Sequence, residues 1–156
     1  MDGVVADFDK FALSVLGEKE EKTHEWPPHQ WAKLSEYPRL YRDLPKTPES
    51  DELISYCTNF AETFEYELFF LTAIPKGNDV KWAFYDKMNW VRDYYSHIPV
   101  MFGPYSKDKQ HHCKPGDILI DDRPSNIAEW TNAGGIAIRH IGDLQNTINE
   151  LQKVVA

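Results

Sequence analysis

Ile118-Leu119-Ile120-Asp121-Asp122-Arg123-Pro124 is the stretch from which the architecture is read. An apolar run of strand length ends in two adjacent carboxylates, and the residues from Ser125 to Asn132 then follow a helical pattern. Two neighbouring carboxylates closing a buried strand repel one another unless a cation or hydrogen-bond donors offset them. A hard divalent ion would do so, since magnesium prefers oxygen ligands and commonly takes only one or two protein carboxylates. An Asp capping the following helix is the plainer alternative.

The same alternation extends outward on both sides. The pattern predicts a strand over 66–72, a loop over 73–78, a helix over 79–95 and a short strand near 99–102. Beyond the Asp-Asp pair it predicts a turn at Gly134-Gly135, a strand over 136–141 and a last helix from Leu144. Upstream, apolar residues at helical spacing from Val4 to Leu16 predict a helix stopped by Gly17, followed by a charged, solvated loop over 18–25. A short helix over 29–36 comes next, then a segment broken by Pro38, Pro45 and Pro48, and an amphipathic helix over 49–64. Apolar strands separated by helices imply an α/β fold, a three-layer Rossmann-like parallel sheet with a small, mainly helical cap. The whole chain, 1–156, reads as one domain with the cap inserted at roughly 18–48. Folds of this kind bind ligands at the carboxyl ends of their strands.

Composition narrows the partners. A formal charge of −8 argues against a nucleic-acid polymer, which needs clustered Lys and Arg. A small phosphate ester needs only a few local donors and a metal. No apolar run approaches the roughly 20 residues of a membrane span. Cys57 and Cys113 form neither a CxxC pair nor a disulfide framework, so a reducing cytoplasm is the expected location. The aromatic content of 13% is high enough to line a pocket or to fill a core.

Three features fall at strand ends: Asp2-Gly3-Val4-Val5-Ala6-Asp7-Phe8, Phe69-Phe70-Leu71-Thr72-Ala73, and the Asp121-Asp122 pair. A hydroxyl closing a strand, followed by the N–H groups of a loop, can hold a phosphate oxygen. Together, and in this order, the three motifs resemble those of haloacid dehalogenase-like phosphatases: DxDG, a strand ending in Thr or Ser, and an acidic pair after an apolar strand. The opening, Asp43-Leu44-Pro45, the helix Lys87-Met88-Asn89-Trp90-Val91 and the closing ILIDDRP resemble 5′(3′)-deoxyribonucleotidases more closely still.

The resemblance implies a magnesium-dependent phosphomonoester hydrolase acting on deoxynucleoside monophosphates through an aspartyl-phosphate. It implies Asp2 as general acid/base and, through its backbone carbonyl, a Mg2+ ligand, with Asp121 or Asp122 completing the metal site. Thr72, the N–H of Ala73 and Lys109 would cradle the phosphate, with Lys107 and Lys114 as alternatives to Lys109. Some nucleotidases carry a hydroxyl residue where Ala73 stands. Phe8 matches a nucleoside-pocket position, and Trp26, Trp31, Tyr37 or Tyr41 would add stacking surface, Trp31 foremost. In DxDG the first Asp is the nucleophile, and Gly3 identifies Asp2 as the second. The nucleophile and its strand would therefore precede Met1, and the chain beginning at Met1 is expected to be inactive. A phosphatase for another small ester, an inactive nucleotide- or protein-binding relative, and a homodimer remain open.

Overall fold

Helix α1 (Phe8–Leu16) begins four residues later than the apolar spacing predicts, because the preceding backbone is engaged elsewhere. The Met1 carbonyl accepts from the N–H groups of Val4, Val5 and Ala6, and Gly3 adopts a φ of 73° to close that turn. Asp7 then caps the helix by accepting a 3.0 Å hydrogen bond from the Lys10 N–H. Val4, Val5 and Ala6 are buried as parts of the turn instead of a helix face. The turn is laced to the chain returning through residues 45–47: the Asp7 N–H donates to the Pro45 carbonyl and the Thr47 N–H to that of Val5. Gly17 ends α1 as expected, at a φ of 85° that a side chain would disfavour.

The computed structural model describes residues 1–156 except for the side chain of Asn78. Helices α2 (Pro28–Ser35), α3 (Ser50–Phe64), α5 (Pro124–Asn132) and α6 (Leu144–Val154) fall within about a residue of their expected starts. Helix α4 (Ala83–Tyr94) starts later than Asp79, because Trp82 ahead of it takes a left-handed φ of 68°. Strand β1 (Phe70–Thr72) pairs in parallel with β2 (Val100–Phe102), and β3 (Ile118–Asp121) with β4 (Ile136–Arg139). Strands β1 and β4 are shorter than their apolar runs. The run into β1 leaves Tyr66 and Phe69 exposed, and the run out of β4 leaves Ile141 at 67% exposure.

The α/β class with parallel strands is the one the sequence predicts. The described strands form two separate parallel pairs instead of one continuous ladder. Residues 1–7 lie against the carboxyl ends of both pairs, where the Lys87 ammonium ties Asp2 to the end of β1 and Asp122, just after β3, packs on Gly3. Among the described residues, no helix is long and apolar enough to cross a membrane.

The core gathers Val5, Leu40, Leu44, Leu53, Trp90 and Ile98. Each such side chain contributes roughly 1.5–3 kcal/mol when fully buried. Trp90 is wholly buried, and its indole N–H donates to the Leu44 carbonyl at 2.8 Å, satisfying its one polar atom. Next to that face Asp86 is also fully buried, held by the guanidinium of Arg39 through both carboxylate oxygens.

His140, after β4, is buried with its Nδ1 2.9 Å from the Thr147 hydroxyl. Burial holds its imidazole below the ordinary value near 6.5, against the opposing pull of Glu49 and Asp143. The unfolded chain therefore binds a proton there before the native chain does, and this contribution to stability is complete above about pH 6.5 and declines below it. Urea midpoints compared at pH 7.5 and 5.5 should drop for the wild type and drop less for His140→Gln, which keeps a partner for Thr147.

Candidate active site

The site grows from Gly3. Its positive φ is cheap only without a side chain, and a Cβ there would overlap the Asp122 carboxylate, so the Asp-Gly turn and the acidic pair are mutually fitted. On one side of the turn, Asp2 Oδ2 accepts a 2.6 Å hydrogen bond from the ammonium of Lys87. The same ammonium donates to the Ala73 carbonyl at 2.5 Å and lies 3.3 Å from the hydroxyl of Thr72, which closes β1 and is 2% exposed. Asp2 Oδ1 is buried and has no hydrogen-bond partner among the described residues.

On the other side, the short 3₁₀ segment Ser106–His112 carries the buried Lys109, whose ammonium donates to Asp121 Oδ2 at 2.7 Å. Of the three candidate lysines this is the one inside the site, since Lys107 and Lys114 are exposed. Asp121 Oδ1 accepts from the Arg123 N–H at 2.9 Å and the Asn126 amide at 3.1 Å, so both its oxygens are satisfied within the chain. Burial would raise the Asp121 carboxyl, but Lys109 and the other donors hold it below its ordinary value. Asp122 goes the other way. Burial, reinforced by the charge of Asp121, pushes it up to about 6.

The acids thus divide: Asp121 is held at both oxygens by protein donors, and Asp2 at one. The buried, partnerless Asp2 Oδ1 and the Asp122 carboxyl on Gly3 are hard oxygen donors of the kind that suit Mg2+. No cluster of three or more His, Cys, Asp or Glu side chains within metal-binding reach occurs among the described residues.

The aromatic expectations separate cleanly. Phe8 lies 6.3 Å from Trp31 and 5.9 Å from Tyr41, ring centre to ring centre, and the Lys87 ammonium sits 4.3 Å from the Tyr41 ring. The three rings form one group, which meets the site where Tyr41 lies against the Lys87 ammonium. Tyr37 instead packs edge-on against Phe11, and Trp26 lies under Lys19. Of the predicted site residues only Tyr37 lines either of two open clefts, that of about 460 Å³ beside Arg39 and Arg42; the other, about 240 Å³, lies beside Trp82 and Phe84.

Sequence reasoning missed two members. Lys87 was visible as part of a helix motif, and its signal is a lysine three and four residues before Trp90 and Val91 on the buried face. His24, expected in a solvated loop, has Nε2 3.9 Å from Asp122 Oδ2. Nothing in its local sequence marks it.

Parallel strands ending in this arrangement of acids, hydroxyl and lysine define the class of haloacid dehalogenase-like hydrolases. Residues 1–147 match the family described as 5′ nucleotidase, deoxy (pyrimidine), cytosolic type C protein, and the chain belongs to that family. No curated protein matches the chain.

Replacing Gly3 by Ala should destabilise the fold by about 1–3 kcal/mol, from the disfavoured φ and the displaced Asp122. Chemical denaturation measures the loss. Adding Asp122→Ala to Gly3→Ala should recover part of it by vacating the space the Cβ needs.

Proposed function

We propose that this site serves a magnesium-dependent 5′(3′)-deoxyribonucleotidase, hydrolysing deoxynucleoside monophosphates. The reading is carried by the unbroken chain of contacts that joins Thr72 to Asp2 through Lys87 and Gly3 to Asp122, with Lys109 on Asp121 alongside. The words deoxy, pyrimidine and cytosolic in the family description support the substrate class and a cytoplasmic location. Segment 18–48 is the cap in this reading, contributing Trp31 and Tyr41 to the nucleoside side of the site.

Thr72, the N–H of Ala73 and Lys109 hold the phosphate oxygens, offering fixed donors where charge develops. Phe8, Trp31 and Tyr41 offer ring faces to the base. Asp2 gives its proton to the ribose oxygen as the phosphorus–oxygen ester bond breaks, then takes a proton from the water that attacks phosphorus. Asp122 and the backbone carbonyl of Asp2 would hold Mg2+, with Asp121 holding Lys109 in place. When bound, the ion supplies charge neutralisation on the phosphoryl oxygens. The carboxylate that first attacks phosphorus belongs two positions ahead of Asp2 in the DxDG motif, where it forms and then releases an acyl phosphate.

The assay therefore measures phosphate release from the chain as it stands and from the chain preceded by an apolar strand ending in that Asp. The extended protein should hydrolyse deoxynucleoside monophosphates faster than sugar phosphates and only with Mg2+. The chain as it stands, and an extension ending in Asn, should bind the nucleotide without turnover. Equal turnover of all esters would remove the nucleotidase reading, and failure of every form to bind nucleotide or release phosphate would remove the hydrolase reading.

A further inference from the structure

We propose that Lys87 is a positioning residue of this site, setting which oxygen of Asp2 faces the ligand and neutralising the carboxylate so that a phosphate is admitted beside it. The inference rests on the nucleotidase reading above and extends it to a residue outside the family's three motifs.

Lys87 is 2% exposed and spends its ammonium on three oxygens: Asp2 Oδ2 at 2.6 Å, the Ala73 carbonyl at 2.5 Å and the Thr72 hydroxyl at 3.3 Å. The Tyr41 ring closes the remaining side at 4.3 Å. A lysine so enclosed would forfeit all three oxygen partners of a buried charge on turning elsewhere. The carboxylate of Asp2 is thereby fixed at one oxygen, and its second oxygen, Oδ1, is left buried and unpartnered.

The three contacts also connect pieces that no shared strand ladder joins. Asp2 belongs to the N-terminal turn, Thr72 and Ala73 to the end of β1, and Lys87 to α4. The acid/base and the phosphate cradle thus share a single cation. In a chain of net charge −8, an uncovered Asp2 would stand against any dianionic phosphate approaching Thr72. Lys109 makes no hydrogen bond to Asp2, its ammonium being paired with Asp121.

Removing the ammonium should therefore weaken binding of the phosphate and leave that of the nucleoside alone. Removing the Asp2 charge as well should restore it, which neither a direct lysine–phosphate contact nor a purely structural role predicts. Calorimetric titration with Mg2+ present would measure deoxyuridine 5′-monophosphate and deoxyuridine on the wild-type chain and on Lys87→Met, Asp2→Asn, the double variant and Leu151→Ala. The last is a core substitution in α6 that removes none of the site's hydrogen bonds, and it reports what lost stability alone does to affinity. Thermal midpoints are recorded for all five.

The expected result is monophosphate binding about tenfold weaker in Lys87→Met, deoxyuridine binding unchanged within about twofold, and monophosphate affinity in the double variant back to within about threefold of Asp2→Asn. Three results overturn the inference: unchanged monophosphate affinity in Lys87→Met, a loss equal to that of Leu151→Ala at similar stability, or a double variant as weak as Lys87→Met. If Lys87→Met does not fold, the comparison passes to the double variant, which carries no unpaired carboxylate. Its affinity must then match that of Asp2→Asn. A wild-type chain that binds neither compound defeats the nucleotidase reading instead.

Discussion

One buried ammonium holds the molecule's three functional pieces in register. The carboxylate of Asp2 and the amine of Lys87 are 85 positions apart in sequence and 2.6 Å apart in space. Around them the strands are short, three residues in β1 and four in β3, and the two parallel pairs share no ladder. Backbone pairing alone therefore does not set the distance between the turn and the end of β1. The ion pair does, and the sensitivity of such pairs is asymmetric. Removing one partner of a buried pair typically costs about 3–5 kcal/mol, while replacing both with well-packed apolar groups is often neutral. Its retention in a buried position is thus better explained by the geometry it imposes than by the stability it contributes.

The acidic pair shows how one backbone turn gives two like groups different tasks. Asp121 faces inward to Lys109, Asn126 and the Arg123 N–H, and is held below its ordinary value despite burial. Asp122, one residue on, meets the α-carbon of Gly3 and lacks a comparable cation, so burial and its neighbour raise it to about 6. The opposite shifts follow from the different environments that one backbone turn gives the two carboxylates. The division depends on Gly3, because any side chain there would occupy the space that Asp122 now fills.

Most of the architecture was legible in the sequence because hydrophobic period and helix punctuation report local structure directly. Gly17 ended α1 and the apolar run Ile118–Ile120 became β3 as expected. The errors arose where a distant partner captured the backbone. Val4, Val5 and Ala6 have helical spacing, but their N–H groups are claimed by the Met1 carbonyl, and no local pattern announces that claim. The Tyr66–Phe69 stretch has strand-like composition, yet β2 is only long enough to pair Phe70–Thr72. In the site, Thr72 and the acidic pair were legible because each closes an apolar run, whereas Asp2 and Lys109 were named from the family resemblance. Lys87 and His24 reach the site from a helix face and a charged loop, and their roles exist only in three dimensions.

Helix α4 carries Asp86 and Lys87 side by side, and successive helical residues point roughly 100° apart around the axis. Asp86 engages Arg39, within the segment that brings Trp31 and Tyr41, while Lys87 engages the turn at Asp2. The helix therefore works as a keyed shaft. It can turn about its own axis only by releasing both partners, so the segment bearing the aromatic rings and the turn bearing the acid are indexed to one rotational setting, and a displacement at either end is felt at the other as torque.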